Sequence, residues 1–170
     1  MSAIANVVHR RMKIVSALAF GGILVSAYLV YKHYTDPTGT GFCNISDKLS
    51  CDVVNKSIYS EIFGIPVALI GVLGYVFIFL VSLGIAFEWN FSKLMHILRP
   101  GLVIRLLYWT TGGALLFSLY LTYMEIFELQ AFCPFCLIQQ AIIFTIFIIL
   151  MSVRYSIEED VEKTKACEFC

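Results

Sequence analysis

Four stretches of the chain carry no charged side chain: 14–31, 62–87, 106–124 and 129–153. Apolar residues dominate every helical face of these stretches, so none shows the single stripe of a surface helix. A helix rises 1.5 Å per residue, and about 20 apolar residues cross the roughly 30 Å hydrocarbon layer of a bilayer. Inside lipid every backbone N–H and C=O must find a partner within the segment, so each stretch is predicted to be an α-helix. The fourth helix is expected to begin near Pro134. The first stretch, the shortest, follows a basic start at Arg10, Arg11 and Lys13. It is longer than a signal-peptide core and lacks a small-residue cleavage site, which predicts an uncleaved first helix.

Between the first two stretches lies a polar segment of different character. Residues 35–41 are rich in Thr, Pro and Gly and read as irregular chain. Ser50 is a candidate N-cap for a short helix through Cys51-Asp52-Val53-Val54 toward Ser57, with Asp52 favourable in its first turn. Pro66 is expected in the first turn of the second long helix. The predicted fold is an all-α integral membrane protein, a four-transmembrane-helix bundle with a long extracytoplasmic loop carrying a short helix. Residues 1–155 form one membrane domain, with 33–63 as its cap, and 156–170 form a tail.

Composition agrees. Of 170 residues, 59% are hydrophobic and 14% charged, against about 45–50% and about 25% in soluble domains. A soluble helical bundle of this size would be overfilled by four such runs. Twelve Lys and Arg balance twelve Asp and Glu, which points away from a nucleic-acid partner.

Basic residues orient the bundle. They cluster at the N-terminus, in the loop after the second helix (Lys93, Arg99, Arg105) and in the tail (Arg154, Lys163, Lys165). Four spans put all three on one side, taken as cytoplasmic, in a multi-pass protein of the cell membrane. The turn before the fourth helix has Glu125 and Glu128 and no basic residue, so it faces out. Both glutamates read as solvated turn residues. The cap also faces out, although Lys32, Lys48 and Lys56 weaken the bias.

Cysteine placement carries the chemistry. Cys133-Pro134-Phe135-Cys136 sets two sulfurs one turn apart at a helix start, where Pro134 suits the first helical position. Free N–H groups and the positive end of the helix dipole favour a thiolate there. Cys43 and Cys51 lie in the cap on the same side. Two dithiols on one oxidising face permit exchange between pairs. A static loop disulfide above an inert C-x-x-C, and a four-thiolate zinc site, remain open on spacing alone. A second C-x-x-C, Cys167 to Cys170, falls on the opposite, reducing side and reads as a dispensable tail rather than a metal or redox site.

Taken together, Cys43, the Cys51-Asp52-Val53-Val54 run, Ser57, Ile62-Phe63-Gly64-Ile65-Pro66 and Cys133-x-x-Cys136 resemble, in order, the vitamin K epoxide reductase family, above all its prokaryotic disulfide-generating branch. The resemblance spans roughly residues 10–155. It implies a four-helix bundle around a quinone of ubiquinone or menaquinone type. It implies that Cys136 faces the quinone, that Cys133 is its partner and exchanges with Cys51, and that Cys43 and Cys51 take electrons from an extracytoplasmic dithiol protein of thioredoxin fold. Ser57, Ser60, Phe63 and Gln140 become candidate quinone contacts, and no metal is implied. Ser60 and Gln140 stand where the vertebrate enzymes carry Asn and Tyr, which favours a respiratory quinone over vitamin K epoxide in the ER. Many prokaryotic relatives carry a fused thioredoxin-like domain after a fifth helix, so a separate partner is expected here.

Other readings stand beside these. Gln140 serves equally well for an ordinary interhelical hydrogen bond. Tyr108, Trp109, Tyr120 and Tyr123 fit interfacial belts better than a quinone site. Gly112-Gly113 and Gly71-x-x-Gly74 are expected to allow close helix approach. A membrane scaffold with structural disulfides only is the main rival to an enzyme. A transporter would carry charges within its spans, and these have none.

Overall fold

The computed structural model describes residues 3–35, 44–46, 49–87 and 100–168. Four helices in it are long and apolar enough to cross a membrane. We number them α1 (Ala3–Tyr34), α3 (Val67–Ala86), α4 (Pro100–Met124) and α5 (Pro134–Glu168), with the short α2 (Cys51–Asn55) between the first two. α1 packs on α3 and α5, and α4 packs on α5.

α1 outruns its uncharged stretch because its basic first turns are helical and find partners. Arg11 Nη1 donates to Ser152 Oγ at 2.8 Å, and the Lys13 ammonium sits 5.5 Å from the Phe87 ring centre. At the same end of the bundle Arg154 lies over Tyr108 and pairs with Glu158 one turn on. Residues 156–168, set apart by the sequence as a tail, continue α5 without a break. The Cys170 thiol and the side chain of Cys167 lie outside the described residues.

Two buried clusters fill the interior. One, toward the basic end, joins Met12, Val15 and Ala19 of α1 to Ile78 of α3, Leu107 of α4 and Ile146, Leu150 and Val153 of α5. The other, at the opposite end, joins Leu29, Cys51, Val54, Ala68, Ala131 and Cys133. Large apolar side chains such as Phe20, Leu24, Leu73, Trp109 and Leu116 point outward, as lipid requires. Two buried hydroxyls return their protons to their own helix: Ser82 donates to Phe79 O and Thr111 to Leu107 O, and among the described residues no buried side-chain polar atom lacks a partner.

Close approach is enforced at Gly22. A Cβ there would fall 2.5 Å from the Tyr75 ring, so only glycine lets α1 and α3 meet at this level. At Gly71 a Cβ would come 3.2 Å from Ser26 Oγ, while at Gly74 it would meet nothing within 4 Å. The expected Gly-x-x-Gly contact is therefore made by Gly71 alone.

The cap contains two short antiparallel pairs. Asn44–Ser46 pairs with Leu49–Ser50, and Glu61–Ile62 with Ile65–Pro66. The second hairpin turns on Phe63 and Gly64, both with positive φ (53° and 77°), as a two-residue turn requires. α3 then starts at Val67, one residue after Pro66. α2 starts at Cys51, as the sequence predicted, although the side chains of its expected start signals, Ser50 and Asp52, lie outside the described residues. α2 is tied to the end of α1. Asn55 Nδ2 donates to Leu29 O at 2.8 Å, and His33 Nδ1 donates to Asn55 O at 2.8 Å. His33 Nε2 also lies 3.3 Å from Glu61.

Candidate active site

α5 begins at Pro134. This makes Cys133 the N-cap, and it behaves as one. Its carbonyl accepts the first helical bond, from Leu137 N at 3.2 Å. Its sulfur accepts from the N–H of Cys136, three residues on, at 3.3 Å. A sulfur thus takes the place of the usual Ser or Asp oxygen. Cys133 is fully buried, while Cys136 is partly exposed.

α2 brings a third cysteine to the same point. Cys51 Sγ lies 3.2 Å from Cys133 Sγ. Cys51 is itself disulfide-bonded, whereas Cys133 and Cys136 are free thiols. Cys43 lies outside the described residues. Cys51 and Cys133 are 82 residues apart in sequence, and they share a buried cluster with Leu29, Val54, Ala68 and Ala131.

Beside Cys136 a cavity of about 350 Å³ opens between the helices and the cap. Its wall is mostly aliphatic and aromatic, from Leu29, Val54, Ala68, Ile78, Phe117, Leu121 and Ile143. Polar groups interrupt it, among them Asn55, Ser57, Tyr59, Ser60, Glu125, Gln139 and the Cys136 thiol. Size and lining suit a small planar apolar ligand held by a few polar contacts. The residues present therefore fit a quinone head group.

The expected contacts divide. Ser57 and Ser60 line the cavity. The Ser57 hydroxyl donates to Val54 O at 2.8 Å, and that of Ser60 to Asn55 O at 2.7 Å, which leaves oxygen lone pairs for a ligand. Phe63 does not line it. As a hairpin tip it is 101% exposed. Gln140 does not line it either. Its Oε1 accepts from Thr122 Oγ1 at 2.7 Å, which is the interhelical bond that competed with the quinone role. The wall position belongs to Gln139, one residue and about 100° away on the helix, whose Nε2 donates to Ser26 Oγ at 2.6 Å. None of Tyr108, Trp109, Tyr120 and Tyr123 reaches the cavity; its tyrosines are Tyr59 and Tyr75.

Glu125 corrects the sequence reading more sharply. It was expected in a solvated turn, yet it is 3% exposed. α4 ends in a single π-helical turn, Glu125–Leu129, closed by Gln130 in the left-handed region. The wider turn swings Glu125 inward while Glu128 stays exposed. Glu125 Oε2 accepts the backbone N–H of Cys133 at 3.2 Å, and its side chain shares the cavity wall with Cys136. No local sequence signal announces this contact, because it joins the end of one span to the start of the next.

The chain thus has paired cysteines meeting at one end of a four-helix membrane bundle, beside an apolar cavity. Residues 13–151 match the vitamin K epoxide reductase family, and the chain belongs to that family of membrane proteins, whose redox chemistry runs between disulfides and quinones.

Proposed function

We propose that this protein is a thiol oxidase of the cell membrane, making disulfides in a partner protein and passing the electrons to a respiratory quinone. The observation that carries the reading is the contact between a free thiol, Cys133, and a disulfide-bonded sulfur, Cys51, 3.2 Å apart, with Cys136 on the wall of an apolar cavity.

Cys43 is assigned as the disulfide partner of Cys51. That pairing is the one the family resemblance implies, and Cys133 and Cys136 are free. In the forward direction a reduced dithiol partner attacks the Cys43–Cys51 disulfide, leaves as a disulfide, and leaves Cys43 and Cys51 as thiols. Cys51 then attacks Cys133 of an oxidised Cys133–Cys136 pair and releases the Cys136 thiolate. Cys43 resolves the Cys51–Cys133 bond, which re-forms the loop disulfide and leaves Cys133 and Cys136 reduced. A loop disulfide beside a reduced inner pair is the arrangement this exchange produces.

A quinone bound in the cavity supplies an acceptor for two electrons and two protons. Ser57, Ser60 and Gln139 are the residues proposed to orient it. The aliphatic wall and the buried sulfurs keep water from the exchange. The exposed cap faces the extracytoplasmic side, where oxidising conditions sustain disulfides, and both chain termini are assigned to the cytoplasm by the basic residues at the far end of the bundle. The partner is a dithiol protein of thioredoxin-like fold.

The test is steady-state oxidation of a dithiol substrate by purified protein with added ubiquinone or menaquinone analogue. Wild type and the Cys167→Ala/Cys170→Ala variant are expected to turn over alike. Cys133→Ala and Cys136→Ala are expected at background. Full activity in either single variant contradicts the proposed path.

A further inference from the structure

We infer that Glu125 is the proton carrier of the inner cysteine pair, taking the proton from Cys136 as that sulfur gives up its electrons and passing it to the acceptor in the cavity. The inference rests on the thiol-to-quinone reading above.

Closing the Cys133–Cys136 disulfide releases two electrons and two protons, and the reduced acceptor takes up both. The electrons leave from a sulfur on the cavity wall. The protons need a base within reach, and among the described residues the wall holds one carboxyl, that of Glu125. Among the described residues no Lys, Arg or His lines the cavity, and Glu125 has no ion-pair partner there. Its carboxyl is nevertheless buried and held in place. One oxygen accepts the Cys133 N–H, and the group forms part of the same cavity wall as Cys136. Burying a carboxyl without a cation is costly. Here a π-turn and a left-handed Gln130 are also used to do it, which is local strain of the kind found at working sites.

The proton balance closes. Glu125 starts ionised, accepts the Cys136 proton, and hands it to an oxygen of the acceptor. It then takes the Cys133 proton in the same way when that sulfur forms the disulfide, and ends ionised. Among the described residues, the titratable groups that share its wall are Cys136 from α5, Tyr59 from the cap and Tyr75 from α3, with Cys133 bonded to it through its N–H. Cys51 from α2 is disulfide-bonded and does not titrate.

The rival role is structural, a carboxylate that merely anchors the start of α5 through the Cys133 N–H. Glu125→Gln separates the two, because an amide oxygen still accepts that bond but carries no proton. In quinone-free reduced protein, the rate of Cys136 alkylation by iodoacetamide is followed against pH, peptide by peptide, by mass spectrometry. Wild type is expected to show a step contributed by the carboxyl, since it titrates coupled to the Cys133–Cys136 thiols. Glu125→Gln is expected to lose that step. In single-turnover reduction of a ubiquinone analogue, Glu125→Gln is expected to slow the step on the order of 100-fold at neutral pH, the usual size of acid–base assistance. It is also expected to recover as pH rises, while Glu125→Asp keeps a measurable share. Thermal unfolding monitors the fold of each variant. Matching alkylation profiles and matching turnover in wild type and Glu125→Gln would overturn the inference. Because the alkylation arm contains no quinone, it decides the role of Glu125 even if wild type proves unable to reduce one, a result that would count against the functional reading alone.

Discussion

Cys133 Sγ sits 3.2 Å from Cys51 Sγ, although the two residues come from opposite halves of the chain. At that separation a thiolate needs no backbone movement to attack the other sulfur. The contact is therefore expected to convert to a bond when both competing partners are removed. In a Cys43→Ala/Cys136→Ala variant, the Cys51–Cys133 disulfide should form with dissolved oxygen as the oxidant and appear as a cross-linked peptide pair by mass. Recovery of both cysteines as free thiols under air would contradict the geometry.

The cavity provides a test that leaves the thiols untouched. Gly74 lines it, and a Cβ there meets nothing within 4 Å. Leucine at this position also suits a helix better than glycine, by up to about 1 kcal/mol. Gly74→Leu should fold normally while filling part of the quinone space. The KM for quinone is expected to rise about tenfold, roughly 1.4 kcal/mol of binding, with exchange between the cysteine pairs unchanged. An unaltered KM would mean that the quinone binds elsewhere.

At Gly22 the opposite result is expected. A side chain there collides with the Tyr75 ring, so Gly22→Val should overpack the α1–α3 contact by about 1–3 kcal/mol. The loss should appear as a lower Tm in detergent and should shrink when combined with Tyr75→Ala. Additive losses in the double variant would show that the two residues do not meet.

Asn55 holds the cap to the bundle through Leu29 O. Asn55→Leu removes the second bond to that carbonyl, which keeps its helical partner, at a cost of about 0.5–1.5 kcal/mol. It should also loosen α2, so that after mild reduction Cys51 is alkylated faster than in wild type. An unchanged alkylation rate would assign the positioning of Cys51 to other contacts.

Much of this arrangement was legible in the sequence. Uncharged stretches marked the four spans, because lipid admits few charges. Pro134 marked the start of α5, and with it Cys133 as the N-cap. What could not be read was the rotation of helices that are apolar all round. Nothing in the local pattern chooses between Gln139 and Gln140, and only the packing of α5 against α1 and α4 turns the first to the cavity and the second to Thr122. Phe63 followed the family motif, but the φ values of its turn leave it at the tip, away from the wall. Glu125 was hidden for another reason. A glutamate beside a short turn normally faces water, and the π-turn that reverses this shows no composition signal.

The central claim is that electrons reach the acceptor through the inner pair. The most direct measurement mixes fully reduced protein with one equivalent of ubiquinone analogue, quenches with an alkylating agent at successive times, and reads every cysteine by mass. The account predicts that the Cys133–Cys136 disulfide forms first, in step with loss of quinone absorbance, with Cys51 becoming oxidised only afterwards. In Cys133→Ala, Cys51 should stay reduced. Oxidation of Cys51 by quinone at the wild-type rate in that variant would contradict the account.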